Sequence, residues 1–265
     1  MSDVLLLCYH AVSRRWPAAL AIAPDDLEQH VGLLANLGYR GATFHDAVAR
    51  PPEAKTVAIT FDDAYRSVIE LALPILSRAG FSATVFAPTA FVGTEKPMSW
   101  PGIDHWLDSE HSDELVAMSW EDLDLLAEAG WEIGSHTRSH PRLPELDPAA
   151  LDAELRESRV EIERRLGACH SLSYPYGDHD LRVVEAARRA GYAAAAGTMP
   201  GRYRPPSGPL DWPRFVMVRG DGARRLRVKT SPVVRRLKAN PAWTLVAATR
   251  RAVRRAGRGK GSPTG

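Results

Sequence analysis

Val57-Ala58-Ile59-Thr60-Phe61-Asp62-Asp63 is the stretch on which the reading of this chain turns. Val57 to Thr60 are apolar or β-branched, follow Pro51-Pro52, and read as a short buried strand. The run then stops on two carboxylates. Neighbouring side chains of a strand point to opposite faces, so a pair inside the sheet would place one charge in the core. At the carboxyl end of a strand that cost disappears, and in α/β folds chemistry collects there. Asp63 also has a plainer reading, as the N-cap of a helix over residues 65–78. The rest of the chain decides between the two.

Upstream, residues 4–9 read as a buried strand ending at His10. Pro24 opens a helix with Leu27, Val31, Leu34 and Leu37 at helical spacing, stopped by Gly38, and residues 39–44 form a short strand. Downstream, strands are expected at 83–87, 131–135, 172–174, 192–196 and 215–218, with helices at 120–129, 148–166 and 180–190. Residues 88–119 carry Phe91, Trp100 and Trp106 without regular patterning, and structureless segments of that length are usually functional. Strand and helix alternate, which predicts a parallel sheet covered by helices; seven or eight such units would close it into a barrel.

The chain has 265 residues, 45% hydrophobic and 25% charged, enough for one large soluble domain. Its net charge of +2 conceals an asymmetry. Residues 1–218 hold 20 Lys and Arg against 31 Asp and Glu, whereas residues 219–265 hold 14 against the single acid Asp221. Cys8 and Cys169 have neither metal-site nor disulfide-framework spacing, and Cys8, in an apolar strand, reads as a buried free thiol. The first residues lack a basic region, and their apolar run is too short for a secretory signal; no stretch reaches the length of a membrane span. The expected location is therefore cytoplasmic.

A second anchor is Ser135-His136-Thr137-Arg138-Ser139-His140, directly after a predicted strand. Histidines four apart on a helical turn share a face and can reach one metal ion; alone, they are equally a pair of surface histidines. In a parallel barrel the strand ends share one rim, so the histidines and Asp62-Asp63 can converge. Two histidines and one carboxylate leave open positions for water and substrate, while the second aspartate is free to take a proton.

Asp62-Asp63 within Thr60-Phe61-Asp62-Asp63, together with His136-Thr137-Arg138-Ser139-His140, resembles the polysaccharide deacetylase family, also called the NodB-homology or carbohydrate esterase family 4 domain. The resemblance spans roughly residues 3–218 and implies an irregular (β/α)7-type barrel that removes acetyl groups from sugars. It implies that Asp62 is the catalytic base and that Asp63, His136 and His140 ligate a divalent metal, most often zinc, with cobalt, nickel or iron as alternatives. Ser173-Tyr174-Pro175-Tyr176-Gly177 is similar to the third family motif, but Ser173 stands where an arginine often orients the base. Arg214 is the candidate replacement, since a guanidinium beside Asp62 would hold it ionised; a surface arginine at a strand start is the alternative. Tyr174, Pro175, Tyr176 and Trp100 are candidate walls of a sugar groove, or else core and loop-pinning residues. The family's usual C-terminal histidine is missing, because no histidine follows His179. His10 instead resembles the acid of the subgroup that places it on the N-terminal strand.

The basic segment 219–265 lies outside the resemblance. Residues 242–255 can form a cationic amphipathic helix suited to an anionic membrane surface, here the inner face, or can remain a disordered, solvated charge run. Nothing beyond charge points to nucleic acid, and the oligomeric state is not legible. The expectation is a metal-dependent deacetylase acting on an N-acetylated sugar, polysaccharide or glycolipid precursor. Its rivals are a non-catalytic glycan-binding module on the same fold and a non-haem iron oxygenase using the same two-histidine, one-carboxylate site.

Overall fold

The computed structural model describes residues 4–49, 55–198, 206–231 and 233. In chain order, strands β1 (Val4–Tyr9), β2 (Ala11–Val12) and β3 (Ala21–Ile22) precede helix α1 (Pro24–Asn36), β4 (Arg40–Ala42) and α2 (Phe44–Ala49). The aspartate strand β5 (Thr56–Asp62) leads into α3 (Leu73–Arg78), β6 (Thr84–Ala87), α4 (Trp120–Glu128) and β7 (Glu132–Ser135). Helix α5 (Pro148–Leu166), β8 (Ser171–Ser173), α6 (Leu181–Ala190), β9 (Ala194–Thr198), β10 (Trp212–Val216) and α7 (Ala223–Thr230) complete the described chain.

The order β1-β10-β9-β8-β7-β6-β5 closes on itself through a β1–β5 ladder, giving a parallel seven-stranded barrel with helices outside. β4 pairs with the first half of β5 (Arg40 opposite Thr56), and β6 pairs with the second half (Thr60 opposite Thr84). β2 and β3 form a separate two-stranded parallel pair near the rim.

Alternation along the strands creates two apolar layers. Leu5, Leu7, Ile59, Phe61, Val85 and Ile133 face the helices in the main core. Leu6, Ala58, Phe86, Ala194 and Ala196 fill the barrel interior, with Phe44 of α2 set edge-on against Phe86. Burying each Leu, Ile or Phe contributes about 1.5–3 kcal/mol. Interior space is tight: a Cβ at Gly134 of β7 would stand 2.7 Å from the Phe86 ring and 2.9 Å from the Ser171 carbonyl oxygen. Helix ends follow local chemistry. Asp147 caps α5 through the amides of Ala149 and Ala150, Pro148 occupies its first turn, and Gly167 ends it in the left-handed region.

Three elements depart from expectation. The helix over 65–78 is a π-helical segment (Val68–Ala72) followed by α3. Pro74 explains this, because it lacks an N–H and its ring crowds the preceding turn. The last strand starts at Trp212 instead of 215; Pro213 hides its beginning in the sequence. Finally, the packed body does not stop at 218. Buried Leu226 seats α7 among the core residues, and buried Asp221 receives Arg225 and Lys229. The helix expected over 242–255 lies outside the described residues. No described helix is long and apolar enough to cross a membrane.

Candidate active site

Barrel parity delivers most of the site. Positions 8 and 10, 60 and 62, 173, and 214 all point into the carboxyl end of the lumen, with Cys8 registered opposite Thr60. Parity alone would turn Asp63 outward. Its φ of 70°, followed by 54° at Ala64, redirects the chain so that both carboxylates reach one cavity. The histidine pair also meets differently from the expected helical turn. Residues 136–140 form a loop with φ 65° at Thr137 and 62° at His140, fastened by the Thr137 amide on Ser135 Oγ (3.0 Å) and the His140 amide on Thr137 Oγ1 (3.1 Å). Among the described residues, the non-glycine positive-φ positions are Asp63, Ala64, Thr137, His140 and Tyr176, all around this site. Each such conformation costs about 1–3 kcal/mol and persists only where its surroundings enforce it.

Asp63 Oδ1 lies 3.3 Å from His136 Nε2 and 3.5 Å from His140 Nε2, with all three residues buried. Two donors about 2.1 Å from one ion and separated by a tetrahedral angle stand about 3.4 Å apart, which matches these spacings. Among the described residues Asp63 Oδ1 has no hydrogen-bond partner, an orphaned buried carboxylate oxygen of the kind that a cation satisfies. Burial lowers the His140 pKa to about 3, leaving a neutral imidazole with a free lone pair. Burial pushes the Asp63 carboxyl up, but the His136 ring beside it outweighs this and holds it below its ordinary value. His136 Nδ1 donates to the Ser173 carbonyl at 2.8 Å, turning Nε2 toward Asp63. The donor set fits a divalent metal.

Asp62 sits beside this cluster in a dense polar network. Arg214 is fully buried and uses all five N–H donors: Nη1 on Asp62 Oδ1 (2.7 Å) and Thr60 Oγ1 (2.8 Å), Nη2 on Asp62 Oδ2 (2.7 Å) and Ser173 Oγ (2.8 Å), and Nε on the Gly197 carbonyl (3.3 Å). Burial alone would raise the Asp62 carboxyl, but Arg214 overrides it and keeps the group ionised well below the usual carboxylate range. Ser173 Oγ and Cys8 Sγ also donate to Asp62 Oδ2, at 3.1 and 3.5 Å. His10, half-buried, lines the same cavity, and its Nδ1 has no hydrogen-bond partner among the described residues. Cys8, His10 and Asp62 also come within 4.8 Å of one another, but burial holds the thiol protonated and Arg214 repels a cation there. Cys8 reads as polar support for Asp62.

The cavity measures about 180 Å³ and is walled by Leu20, Trp100, Ile103 and Tyr176 around these polar groups. Two larger grooves, about 380 and 400 Å³, present charges already paired within the protein, such as Arg15 with Glu114 and Arg188 with Glu185. Trp100 and Tyr176 reach the cavity. Tyr174 and Pro175 do not: both are buried, and the Tyr174 hydroxyl donates to the Leu210 carbonyl while its ring stacks on His179. They are core residues beneath the rim. Cys8 and the Ser173 hydroxyl donate to Asp62, and Thr60 accepts from its partner Arg214; the period of two that links Thr60 to Asp62 and Cys8 to His10 is the sequence signal for this grouping.

Fold, motif order and donor set agree with one class of proteins. The polysaccharide deacetylase profile matches residues 49–195, more than half of the chain, and the chain belongs to this family. It is 28% identical over 202 residues to YxkH of Bacillus subtilis (strain 168), a protein whose name places it among polysaccharide deacetylases. That match takes in 74% of this chain and 64% of the relative's length. The fold is similar to that of the Streptococcus pyogenes deacetylase PplD, solved in complex with acetate (TM-score 0.72, 21% identity, 87% of this chain and 99% of that one). It is also similar to IcaB from Ammonifex degensii (TM-score 0.68, 22% identity, 87% and 97%).

Proposed function

We propose that this protein is a divalent-metal-dependent hydrolase that removes the acetyl group from an N-acetylated sugar unit, releasing acetate and a free amine. The observation that carries the reading is the convergence of Asp63 Oδ1 with His136 and His140 Nε2 beside an ionised Asp62 in one cavity. Asp63, His136 and His140 would hold the metal, zinc ahead of cobalt, nickel or iron. When bound, it supplies Lewis-acid polarisation of the acetyl carbonyl and charge opposite the developing oxyanion. Asp62 takes a proton from the attacking water as its oxygen bonds to the acetyl carbon. Arg214 fixes both carboxylate oxygens and keeps Asp62 unprotonated beforehand. As the C–N bond breaks, His10 protonates the departing nitrogen. Trp100 and Tyr176 shape the walls around the sugar.

Ser173 in place of the family's arginine, together with the missing C-terminal histidine, is what favours a non-catalytic binding module. Arg214 supplies the guanidinium contact from another strand, with Ser173 bridging the two, so support moves to hydrolysis. The donor set alone motivates the oxygenase reading, and the parallel α/β barrel argues against it, because such enzymes generally sit on double-stranded β-helix folds. The excess of cations in residues 219–265 supports peripheral contact with an anionic membrane surface at its cytoplasmic face, where a lipid-linked glycan precursor would be met. Acetate release from a panel of N-acetylated glycans and glycolipids, with and without chelator, tests the central reading. Release that no chelator reduces would overturn the metal's role, and no release from any member by metal-loaded protein would overturn the activity.

A further inference from the structure

The two histidines of the Asp63–His136–His140 cluster are supported unequally. His136 is oriented by its hydrogen bond to the Ser173 carbonyl, whereas His140 Nδ1 is buried with no hydrogen-bond partner among the described residues. A metal-ligating imidazole ordinarily donates its second N–H to a fixed acceptor, which sets the ring torsion. No described residue offers His140 such an acceptor. Instead its ring lies flat against Trp100, centroids 4.1 Å apart and planes 23° from parallel. His136 and Tyr176 close its remaining sides edge-on at 4.8 and 4.7 Å.

Trp100 is itself well braced. Its carbonyl accepts from the amides of Ile103 and Asp104 (3.1 Å each), and Phe91 packs edge-on at 5.3 Å. The insertion that carries it is tied to the histidine loop, with the Thr89 and Ala90 amides donating to the carbonyls of Thr137 and Arg138 at 3.2 and 2.8 Å. A stacked ring of this kind restricts the imidazole about the torsion that a hydrogen bond would otherwise set.

We infer that Trp100 is the positioning residue of His140, so that the irregular insertion after β6 governs how tightly this protein holds its metal. The inference rests on the metal reading of Asp63, His136 and His140. It separates two roles for Trp100, a wall for the sugar and a brace for a ligand.

The test is zinc affinity, measured on demetallated full-length protein by competition with a chromophoric chelator and without any sugar. Trp100→Ala should weaken zinc binding about 10-fold or more, the cost typical of removing a ligand's support, whereas Trp100→Phe, which keeps a stackable ring, should stay within about threefold of wild type. The visible spectrum of the cobalt-loaded Trp100→Ala protein should shift as well, while that of Trp100→Phe should not. Zinc affinity of Trp100→Ala within about twofold of wild type, with KM alone raised, overturns the inference and leaves Trp100 a sugar wall. Equal losses in the Phe and Ala variants also overturn it. Wild-type protein that takes up no zinc overturns the metal reading and this inference together, so the two failures are distinguishable.

Discussion

Replacing Arg214 by methionine is the sharpest structural test, because one substitution removes five hydrogen bonds and the counter-ion of a buried carboxylate. Arg214 is 0% and Asp62 2% exposed, and the guanidinium lies over the Phe86 ring at 5.3 Å. In Arg214→Met, Asp62 keeps only the Ser173 and Cys8 donors, and its charge stays buried without compensation. Breaking a buried pair from one side costs about 3–5 kcal/mol. For a domain of this size each kcal/mol moves Tm by about 2–4 °C, so the midpoint should fall by roughly 6–20 °C. Asp62→Asn combined with Arg214→Met removes both charges, so the double variant should be at least about 1 kcal/mol more stable than Arg214→Met alone. Calorimetry and urea unfolding at pH 7, with chelator present to remove the contribution of metal binding, measure both quantities. Arg214→Met within about 1 kcal/mol of wild type, or strictly additive effects in the double variant, would refute the account of this network.

Asp62→Asn should retain zinc binding by the competition assay while kcat falls about 10²–10⁴-fold, the usual contribution of a general base; undiminished kcat sinks the proposed role. His30, buried on α1 with Nδ1 2.9 Å from the Tyr9 hydroxyl, has its pKa lowered by burial from its ordinary 6.5. The unfolded chain therefore takes up this proton first as pH falls, so stability drops below pH 6.5, by at most about 1.4 kcal/mol per pH unit. His30→Gln should lose less stability than wild type between pH 7.5 and 5.5 in urea titrations, and parallel losses would contradict the burial argument. Protein truncated after Thr230 should partition onto phosphatidylserine vesicles more weakly than the full chain at low salt, and equal partitioning would remove the membrane proposal.

Much of this fold is legible in the sequence because strand and helix signals are local. Pro148, the apolar stripe of α5 and Gly167 mark that helix in full, and the abrupt end of Val57–Phe61 on two carboxylates marks a barrel rim. What the sequence hides is non-local or strained. Arg214 meets Asp62 across 152 positions and Ser173 across 41, and no spacing rule shows that a serine and an arginine from different strands together serve one carboxylate. Left-handed backbone at Asp63, Thr137 and His140 runs against propensity, so the histidines read as a helical turn when they form a tight loop. Tyr174 and Tyr176 look alike in sequence, yet one belongs to the core and the other to the cavity, because φ of 59° at Tyr176 breaks the alternation between them.

Acetate release by the demetallated protein, titrated with zinc and measured across the panel of N-acetylated glycans and glycolipids, tests the central claim most directly. The account predicts no release without metal, a rise that saturates near one zinc per chain, one free amine per acetate, and no recovery in His136→Ala or His140→Ala at the same zinc. Release that is independent of zinc, or that survives loss of both histidines, would contradict it.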